Sequence, residues 1–203
     1  MACAPELFLA SGGDSHMKRI MWEIVDKLRR GNFPSLRVLY NGRRPTWASG
    51  GVTMARYLDE QHRRLRQCSA DIVIITIGGN DCDQEPRVDM QTLKEHIRRV
   101  VTELEQTGKM VFICQSPRRW TTRTDVTVEL HRTLGNHIDR FLQRNMRDNY
   151  IRLPPGGLHH HIDNFAEEDF QNGHGVEVVH LKKEHYHSYA IHILEHILVQ
   201  INN

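Results

Sequence analysis

The run Asp71–Ile77 is the feature of this sequence that most limits the fold it can adopt. Six of its seven residues are β-branched, and the apolar character is nearly continuous. Such a run is typical of a strand that is buried on both faces. Strands of this kind occur mainly in parallel sheets that carry helices on both sides. The sequence therefore predicts an α/β protein built around this strand.

Strand and helix patterns alternate along the whole chain. The predicted strands are Pro5–Ala10, Leu36–Tyr40, Asp71–Ile77, Lys109–Cys114 and Tyr150–Leu153. The predicted helices are Ser15–Arg30, Val52–Gln67, Met90–Gln106, Val126–Met146 and His185–Ile201. Repeated strand–helix units predict a three-layer α/β/α sandwich around a five-stranded parallel sheet of the flavodoxin-like type. We expect residues 1–203 to form a single domain, with a polar, irregular stretch from Leu158 to Val179.

Composition gives expectations about compartment and partners. The 203 residues are 39% hydrophobic, which suits one globular domain with a sizeable core. The formal net charge of +2 does not require a nucleic-acid partner. Cys3, Cys68, Cys82 and Cys114 have no metal-binding or redox spacing and fit a reducing compartment. Without a signal peptide or a membrane-spanning apolar run, we expect an intracellular, cytoplasmic protein.

The arginines include five adjacent pairs. These pairs are Arg29–Arg30, Arg43–Arg44, Arg63–Arg64, Arg98–Arg99 and Arg118–Arg119. The guanidinium fork suits phosphate and carboxylate groups better than an ammonium does. One interpretation is a surface for an anionic membrane or for weak, non-specific nucleic-acid binding. The other is a set of solvated helix faces with no partner.

The motif Gly13-Asp14-Ser15 lies between the first predicted strand and the first predicted helix. A serine at such a junction lies beside exposed backbone N–H groups and the positive end of a helix dipole. That environment suits a nucleophile whose reaction creates an oxyanion. The alternative interpretation is an Asp/Ser helix cap.

Three further polar blocks occur at comparable places. Ser49-Gly50-Gly51-Val52-Thr53 follows the second predicted strand, Gly78-Gly79-Asn80-Asp81 follows the third, and Glu177-Val178-Val179-His180-Leu181 precedes the last helix. Sites in open parallel sheets form beyond the carboxyl ends of the strands, where these blocks are expected. The alternatives are purely structural roles, in which Gly51 starts a helix and Asn80 and Asp81 form an Asx turn.

In this order, the four blocks resemble the SGNH, or GDSL-type, hydrolase family, whose signature is Ser, Gly, Asn and His in four separated blocks. The resemblance extends from Gly13 to Ala190 and implies a serine esterase that needs no metal or organic cofactor. It implies that Ser15 is the nucleophile and also gives its backbone N–H to an oxyanion hole. Gly51, with Gly50 as the competing choice, would give a second N–H. Asn80 would give its side-chain amide, and His180 would be the general base.

The last block departs from the family pattern. The family has Asp three residues before the histidine, whereas this chain has Glu177. Glu177 is the residue that the resemblance assigns to orienting the imidazole, with Asp163 and Asp169 as rivals, and some such enzymes use only Ser and His. His16 is also unusual at its position, and we expect it near the site entrance or exposed on the first helical turn.

Within the family, the chain is most similar to the esterase domain in first-open-reading-frame proteins of non-LTR (LINE-type) retrotransposons. The shared features are the compact size, the early Gly-Asp-Ser block, Ile-Gly-Gly-Asn-Asp and the arginine-rich surface, although bacterial acyl-esterases share the same blocks. This resemblance implies an acyl-ester or lipid substrate. It also implies a larger natural protein with an RNA-binding or coiled-coil region before Met1.

The chain has 14 histidines, which raises the question of a metal site. His159–His161 and His174 are the candidates, but adjacent imidazoles point in different directions and no carboxylate or Cys motif stands at ligand spacing. We therefore expect a polar loop there and no metal. Most histidines of the last predicted helix are expected to face solvent. They are His185, His187, His192 and His196.

Overall fold

A five-stranded parallel sheet lies between two layers of helices. The computed structural model describes residues 5–31, 33–82, 89–116, 120–121, 125–152, 177–178 and 180–203. Of these, 120–121, 125–132 and 177–178 are described for the backbone alone. From edge to edge, the strands of the sheet are Leu36–Val38, Leu7–Gly13, Ile72–Thr76, Met110–Cys114 and Tyr150–Ile151, and every neighbouring pair is parallel. This confirms the predicted α/β fold with a flavodoxin-like strand order.

The elements have the following bounds. The strands are β1 Leu7–Gly13, β2 Leu36–Val38, β3 Ile72–Thr76, β4 Met110–Cys114, β5 Trp120–Thr121, β6 Tyr150–Ile151 and β7 Glu177–Val178. The α-helices are α1 Ser15–Arg29, α2 Met54–Tyr57, α3 Arg63–Gln67, α4 Met90–Glu105, α5 Asp125–Asn145 and α6 Lys183–Asn202. A π-helical segment, Leu58–His62, joins α2 to α3, and the 3₁₀ turns are Asn80–Cys82 and Arg147–Asn149.

The two faces of β3 show why its sequence is so apolar. Ile72 and Ile74 pack into a core shared with α1 and α6, whereas Val73 and Ile75 pack into a core shared with α2, α4 and α5. All four side chains are buried. Burial of each contributes about 1.5–3 kcal/mol, so this strand anchors both helical layers. The prediction of a strand buried on both faces is confirmed.

One strand boundary and one strand pair differ from the sequence prediction. The first strand was expected to end at Ala10, but β1 continues to Gly13, which pairs with Thr76 of β3. A Cβ on Gly12 would lie 2.6 Å from Cδ1 of Leu65, so a glycine lets the α2–α3 layer approach this strand. β5 and β7 form a separate antiparallel pair, although the residues of β7 were expected to be irregular.

Candidate active site

Ser15 is the first residue of α1, and Asp14 caps that helix. Oδ1 of Asp14 accepts hydrogen bonds from the backbone N–H groups of His16 at 2.9 Å and Met17 at 3.3 Å. The cap interpretation and the nucleophile interpretation therefore apply to adjacent residues and do not exclude each other. The capping carboxylate leaves the N–H of Ser15 unused by the cap, at the positive end of the helix dipole.

Ser15 and His180 are in direct contact. Oγ of Ser15 and Nε2 of His180 are 2.9 Å apart, although the residues are 165 positions apart in sequence. Both side chains are only partly buried, so a ligand can reach them. His180 lies just before α6, which packs against α1 and so brings the last polar block close to the first. This is the separation at which an imidazole can take a hydroxyl proton.

A chain of hydrogen bonds fixes the segment that carries His180. The backbone N–H of Leu181 donates to Oη of Tyr186 at 3.2 Å, and that oxygen lies 2.9 Å from Nδ1 of His16. The hydroxyl accepts from Leu181, and the tautomer of His16 sets which of the two groups donates in the second bond. Burial raises the pKa of the Tyr186 phenol, which keeps the hydroxyl neutral.

The position of His16 differs from one of the two sequence expectations. A place near the site entrance stays a prediction, whereas the expectation that it is exposed on the first helical turn is wrong, because His16 is only 3% exposed. The reason is Tyr186, whose hydroxyl holds the imidazole beneath the segment that bears His180. The His16 and His180 rings lie 5.7 Å apart, so His16 is a direct neighbour of the candidate base.

Asp14 also connects the ends of three strands. Thr76 donates its hydroxyl to Oδ1 at 2.8 Å, and Ser116 donates its hydroxyl to Oδ2 at 3.4 Å. A Cβ on Gly79 would lie 2.5 Å from Oγ of Ser116, so a glycine there makes room for this contact. The carboxylate therefore fixes the start of α1 against the carboxyl ends of β3 and β4.

Gln61 holds the backbone of Gly13 from the opposite side. Its Oε1 accepts the N–H of Gly13 at 2.7 Å, and its Nε2 donates to the carbonyl of Gly13 at 3.2 Å. The same Nε2 lies 3.4 Å from Oγ of Ser49, whose backbone N–H donates to the same carbonyl at 3.1 Å. No sequence pattern pointed to Gln61, because its placement depends on the π-helical segment.

Gly50 and Gly51 form the turn that follows Ser49. Gly51 has a φ of +67°, which glycine adopts without strain, and a Cβ on either glycine would meet no heavy atom of the described residues within 4 Å. Gly51 does not begin a helix, since Thr53 caps α2 and the helix starts at Met54. Which of the two glycines would serve as a donor stays a prediction.

Asn80 and Asp81 tie the third polar block to the second. Nδ2 of Asn80 donates to the carbonyl of Val52 at 2.9 Å, which fixes the amide plane. Both carboxylate oxygens of Asp81 lie 3.0 Å from the backbone N–H of Met54. Both side chains are buried, and burial raises the pKa of Asp81. The structure thus joins the polar blocks that contain Ser15, Gly51, Asn80 and His180.

Several predicted residues lie outside the described part of the chain. The backbone of Glu177 belongs to β7, but its side chain is not described. Asp163, Asp169, His159–His161 and His174 also fall outside the described residues. Among the residues that are described, no three His, Cys, Asp or Glu side chains are grouped as metal ligands, and no helix is long and apolar enough to cross a bilayer.

The sequence comparisons do not show which family the chain belongs to. No protein-family model matches the chain. A glutamyl-Q tRNA(Asp) synthetase from Methylococcus capsulatus is 34% identical over 70 residues, which is 34% of this chain and 23% of that protein's length. So short a match does not place the chain in a family.

Comparison with solved structures is more informative. The acetyl xylan esterase AlAXEase has a TM-score of 0.65 at 15% identity, over 93% of this chain and 98% of that one. An acetyl xylan esterase from Geobacillus stearothermophilus has a TM-score of 0.66 at 15% identity, over 97% of each chain. The lipase/acylhydrolase from Enterococcus faecalis has a TM-score of 0.61 at 14% identity, over 96% of each chain. This protein has the fold of these ester hydrolases.

Proposed function

We propose that the protein is a serine esterase that hydrolyses acetyl or short-acyl carboxylic esters through an acyl-Ser15 intermediate. The observation that carries this proposal is the 2.9 Å contact between Oγ of Ser15 and Nε2 of His180 at the first turn of α1. A serine hydroxyl becomes a competent nucleophile when a positioned base accepts its proton. The pair lies beyond the carboxyl ends of the parallel strands, which is where α/β folds place their sites.

The reaction proceeds in two steps. In the first, Oγ of Ser15 attacks the ester carbonyl while Nε2 of His180 takes the hydroxyl proton, and His180 then gives that proton to the departing alcohol. In the second, His180 takes a proton from water, the hydroxide attacks the acyl-serine, and the acid leaves as Ser15 is reprotonated. Both steps use the same nitrogen, so the distance from Ser15 to His180 governs both.

Charge on the tetrahedral intermediates is stabilised by three donors. The backbone N–H of Ser15 lies at the positive end of α1, and the N–H of Gly51 lies in the turn before α2. The amide of Asn80, held in its plane by Val52, supplies the third donor. Removal of one such donor typically costs about 3–4 kcal/mol of transition-state stabilisation.

Glu177 is the residue proposed to orient His180 through Nδ1. A carboxylate in this role holds the tautomer and stabilises the imidazolium that forms, without taking the proton itself. Its loss should therefore reduce turnover less than loss of His180. Asp163 and Asp169 are the alternatives for this role.

The structural neighbours support the chemistry and the acyl group. Two of the three structures compared above are acetyl xylan esterases. One solved form of the Geobacillus enzyme is a catalytic mutant in which a serine is replaced by alanine. We infer from this that acetyl and other short acyl groups are the first substrates to test.

The proposed biological setting is the esterase domain of a non-LTR retrotransposon protein inside the cell. It rests on the early Gly-Asp-Ser block, Ile-Gly-Gly-Asn-Asp and the arginine pairs. In this setting the substrate would be an acyl ester or lipid, with an anionic membrane and weakly bound nucleic acid as partners. A genomic locus with a reverse-transcriptase reading frame downstream would support it, and an isolated bacterial gene would contradict it. The alternative is a module that binds RNA or membrane without catalysis.

The test is hydrolysis of p-nitrophenyl esters of increasing acyl length. We expect the wild type to prefer acetate or butyrate, and Ser15→Ala and His180→Ala to lose turnover. Glu177→Ala should retain part of it. If Glu177→Ala has no effect while Asp163→Ala or Asp169→Ala abolishes turnover, the orienting residue is misassigned. Absence of turnover in the wild type would contradict the proposed function and favour the binding module. Full turnover in Ser15→Ala would contradict the acyl-Ser15 intermediate.

A further inference from the structure

Three arginines from two of the adjacent pairs line one cavity. Arg44, from the turn after β2, and Arg63 and Arg64, from α3, line a polar cavity of about 430 Å³. The volume is within the range of small-molecule sites, and Ser49, Thr46 and Asn41 add polar groups to the lining. A larger cavity of about 610 Å³ lies between α1 and the edge strand β2 and is mainly apolar.

The charge in the 430 Å³ cavity is unbalanced. Three guanidinium groups face two carboxylates, Asp59 and Glu60, and Arg56 already pairs with Glu60 at 3.1 Å. Among the described residues, none of the three arginines that line the cavity has an ion-pair partner. All three are exposed, so their donors are accessible from solvent. Like charges held together in a concave surface favour an anionic ligand.

The other residues that line the cavity indicate which kind of anion it would bind. Trp47 offers a half-buried aromatic face, and Ser49 adds a hydroxyl group. Arginine forks bind the tetrahedral oxygens of phosphate in a bidentate manner. Ser49 and Gln61, which line the cavity, are the residues that hold Gly13 two positions before Ser15. Two residues of the cavity lining thus contact the backbone two positions before Ser15.

We propose that this cavity binds a phosphate group, presented by a small phosphorylated molecule or by a phospholipid headgroup. Arg44, Arg63 and Arg64 bind the phosphate oxygens, and Trp47 packs beside the group attached to the phosphate. The proposal does not depend on whether Ser15 is a nucleophile, so it is tested by binding alone.

The experiment is a titration of the full chain with inorganic phosphate at constant ionic strength, read from the NMR signal of the Trp47 indole N–H. We expect a saturable shift in the wild type. The double variant Arg63→Gln/Arg64→Gln and the single variant Arg44→Gln should weaken binding by about tenfold or more. Arg43→Gln is the matched control, because Arg43 neighbours Arg44 and is exposed but does not line the cavity. It should change the affinity by less than about twofold.

A second arm distinguishes the two sources of phosphate. Co-sedimentation with phosphatidylglycerol vesicles, set against phosphatidylcholine vesicles, supports a lipid headgroup if Arg44→Gln abolishes it and Arg43→Gln does not. Phosphate binding without vesicle binding supports a small phosphorylated ligand. A linear, non-saturating shift, or equal effects of Arg43→Gln and Arg44→Gln, would overturn the proposal. Arg44→Gln decides the result if the double variant does not fold.

Discussion

Asp14 makes cap contacts that the local sequence predicted and two contacts that only the folded chain creates. The Gly-Asp-Ser motif predicted the junction between a strand and a helix, and the cap on α1 follows directly from it. The bonds from Thr76 and Ser116 did not follow, since these residues are 62 and 102 positions away. Sequence reasoning could find the candidate nucleophile but not the contacts that hold its helix in place.

Asn80 gives a test at the same scale. Asn80→Ala removes one proposed oxyanion donor, so kcat should fall by about two to three orders of magnitude. It also leaves the buried carbonyl of Val52 without its donor, which should cost about 1–3 kcal/mol of stability. Ester hydrolysis and urea unfolding measure the two effects separately.

Asn149→Ala is the matched control for that variant. Like Asn80, Asn149 donates its amide to a backbone carbonyl, that of Val111 at 3.0 Å, and it also donates to Glu105 at 2.8 Å, but it lies at the opposite end of β4 from the site. Its substitution should lower stability without lowering kcat. If Asn80→Ala behaves in the same way as Asn149→Ala, Asn80 has only a structural role.

Among the elements, the helix predicted over Val52–Gln67 is confirmed as helical, but its start and the geometry of its middle differ from the prediction. Its start is delayed to Met54 by the Thr53 cap, and its middle is π-helical. The extra residue in the π-helical turn buries Gln61 and His62 together, at 3% and 4% exposure. Periodicity at 3.6 residues per turn cannot reveal such an insertion.

His62 makes the stability of this element depend on pH. Burial lowers its pKa, although the bond to Glu103 opposes this in part. Between that lowered value and the ordinary value of about 6.5, the unfolded chain binds more protons than the folded one. The free energy of unfolding therefore falls as pH drops below about 6.5.

His62→Gln should flatten that dependence. The change in the free energy of unfolding between pH 7 and pH 5, from urea titrations, should be smaller than in the wild type. His196, whose pKa burial also lowers, keeps part of the slope. The pKa of Glu103 is about 2, held low mainly by Arg99, so its contribution is lost only at pH values below this window. An unchanged or steeper slope would show that His62 does not cause the effect.

The junction between β1 and α1 gives a second test of an element. Gly13 has a φ of +117°, and a Cβ there would collide with the backbone carbonyl of Thr76. Gly13→Ala should therefore lower the free energy of unfolding by more than about 2 kcal/mol or prevent folding. Gly50→Ala is the control, because a Cβ at that position would meet none of the described residues within 4 Å. Thermal unfolding of the two variants should differ clearly, and equal melting temperatures would contradict this account of the junction.

The histidines of α6 are less exposed than the sequence predicted. Most of its histidines were expected to face solvent, but His185 is buried, His192 bonds the carbonyl of Arg152 at 2.9 Å, and the His196 ring lies edge-on to Phe112. His187 lies 3.1 Å from Glu23 of α1. α6 packs against both α1 and the sheet, so little of its circumference is left for solvent.

At the scale of the whole molecule, the alternation of strand and helix patterns was enough to predict the sheet and its order. Each strand of the main sheet is marked by its own apolar run, and the right-handed crossover rule leaves few topologies. The β5–β7 pair was not predicted, because each strand has only two residues and they lie 57 positions apart. The order of the polar blocks also predicted the candidate site, because the carboxyl ends of parallel strands lie at the same edge of the sheet.

We propose that Ser15 is a covalent nucleophile activated by His180. The most direct measurement is reaction of the folded protein with a fluorophosphonate probe, followed by mass spectrometry of the peptide that contains Ser15. We predict one adduct on Ser15, strongly slowed in His180→Ala and absent in Ser15→Ala. An adduct that persists in Ser15→Ala, or a folded wild type that the probe does not modify, would contradict the account.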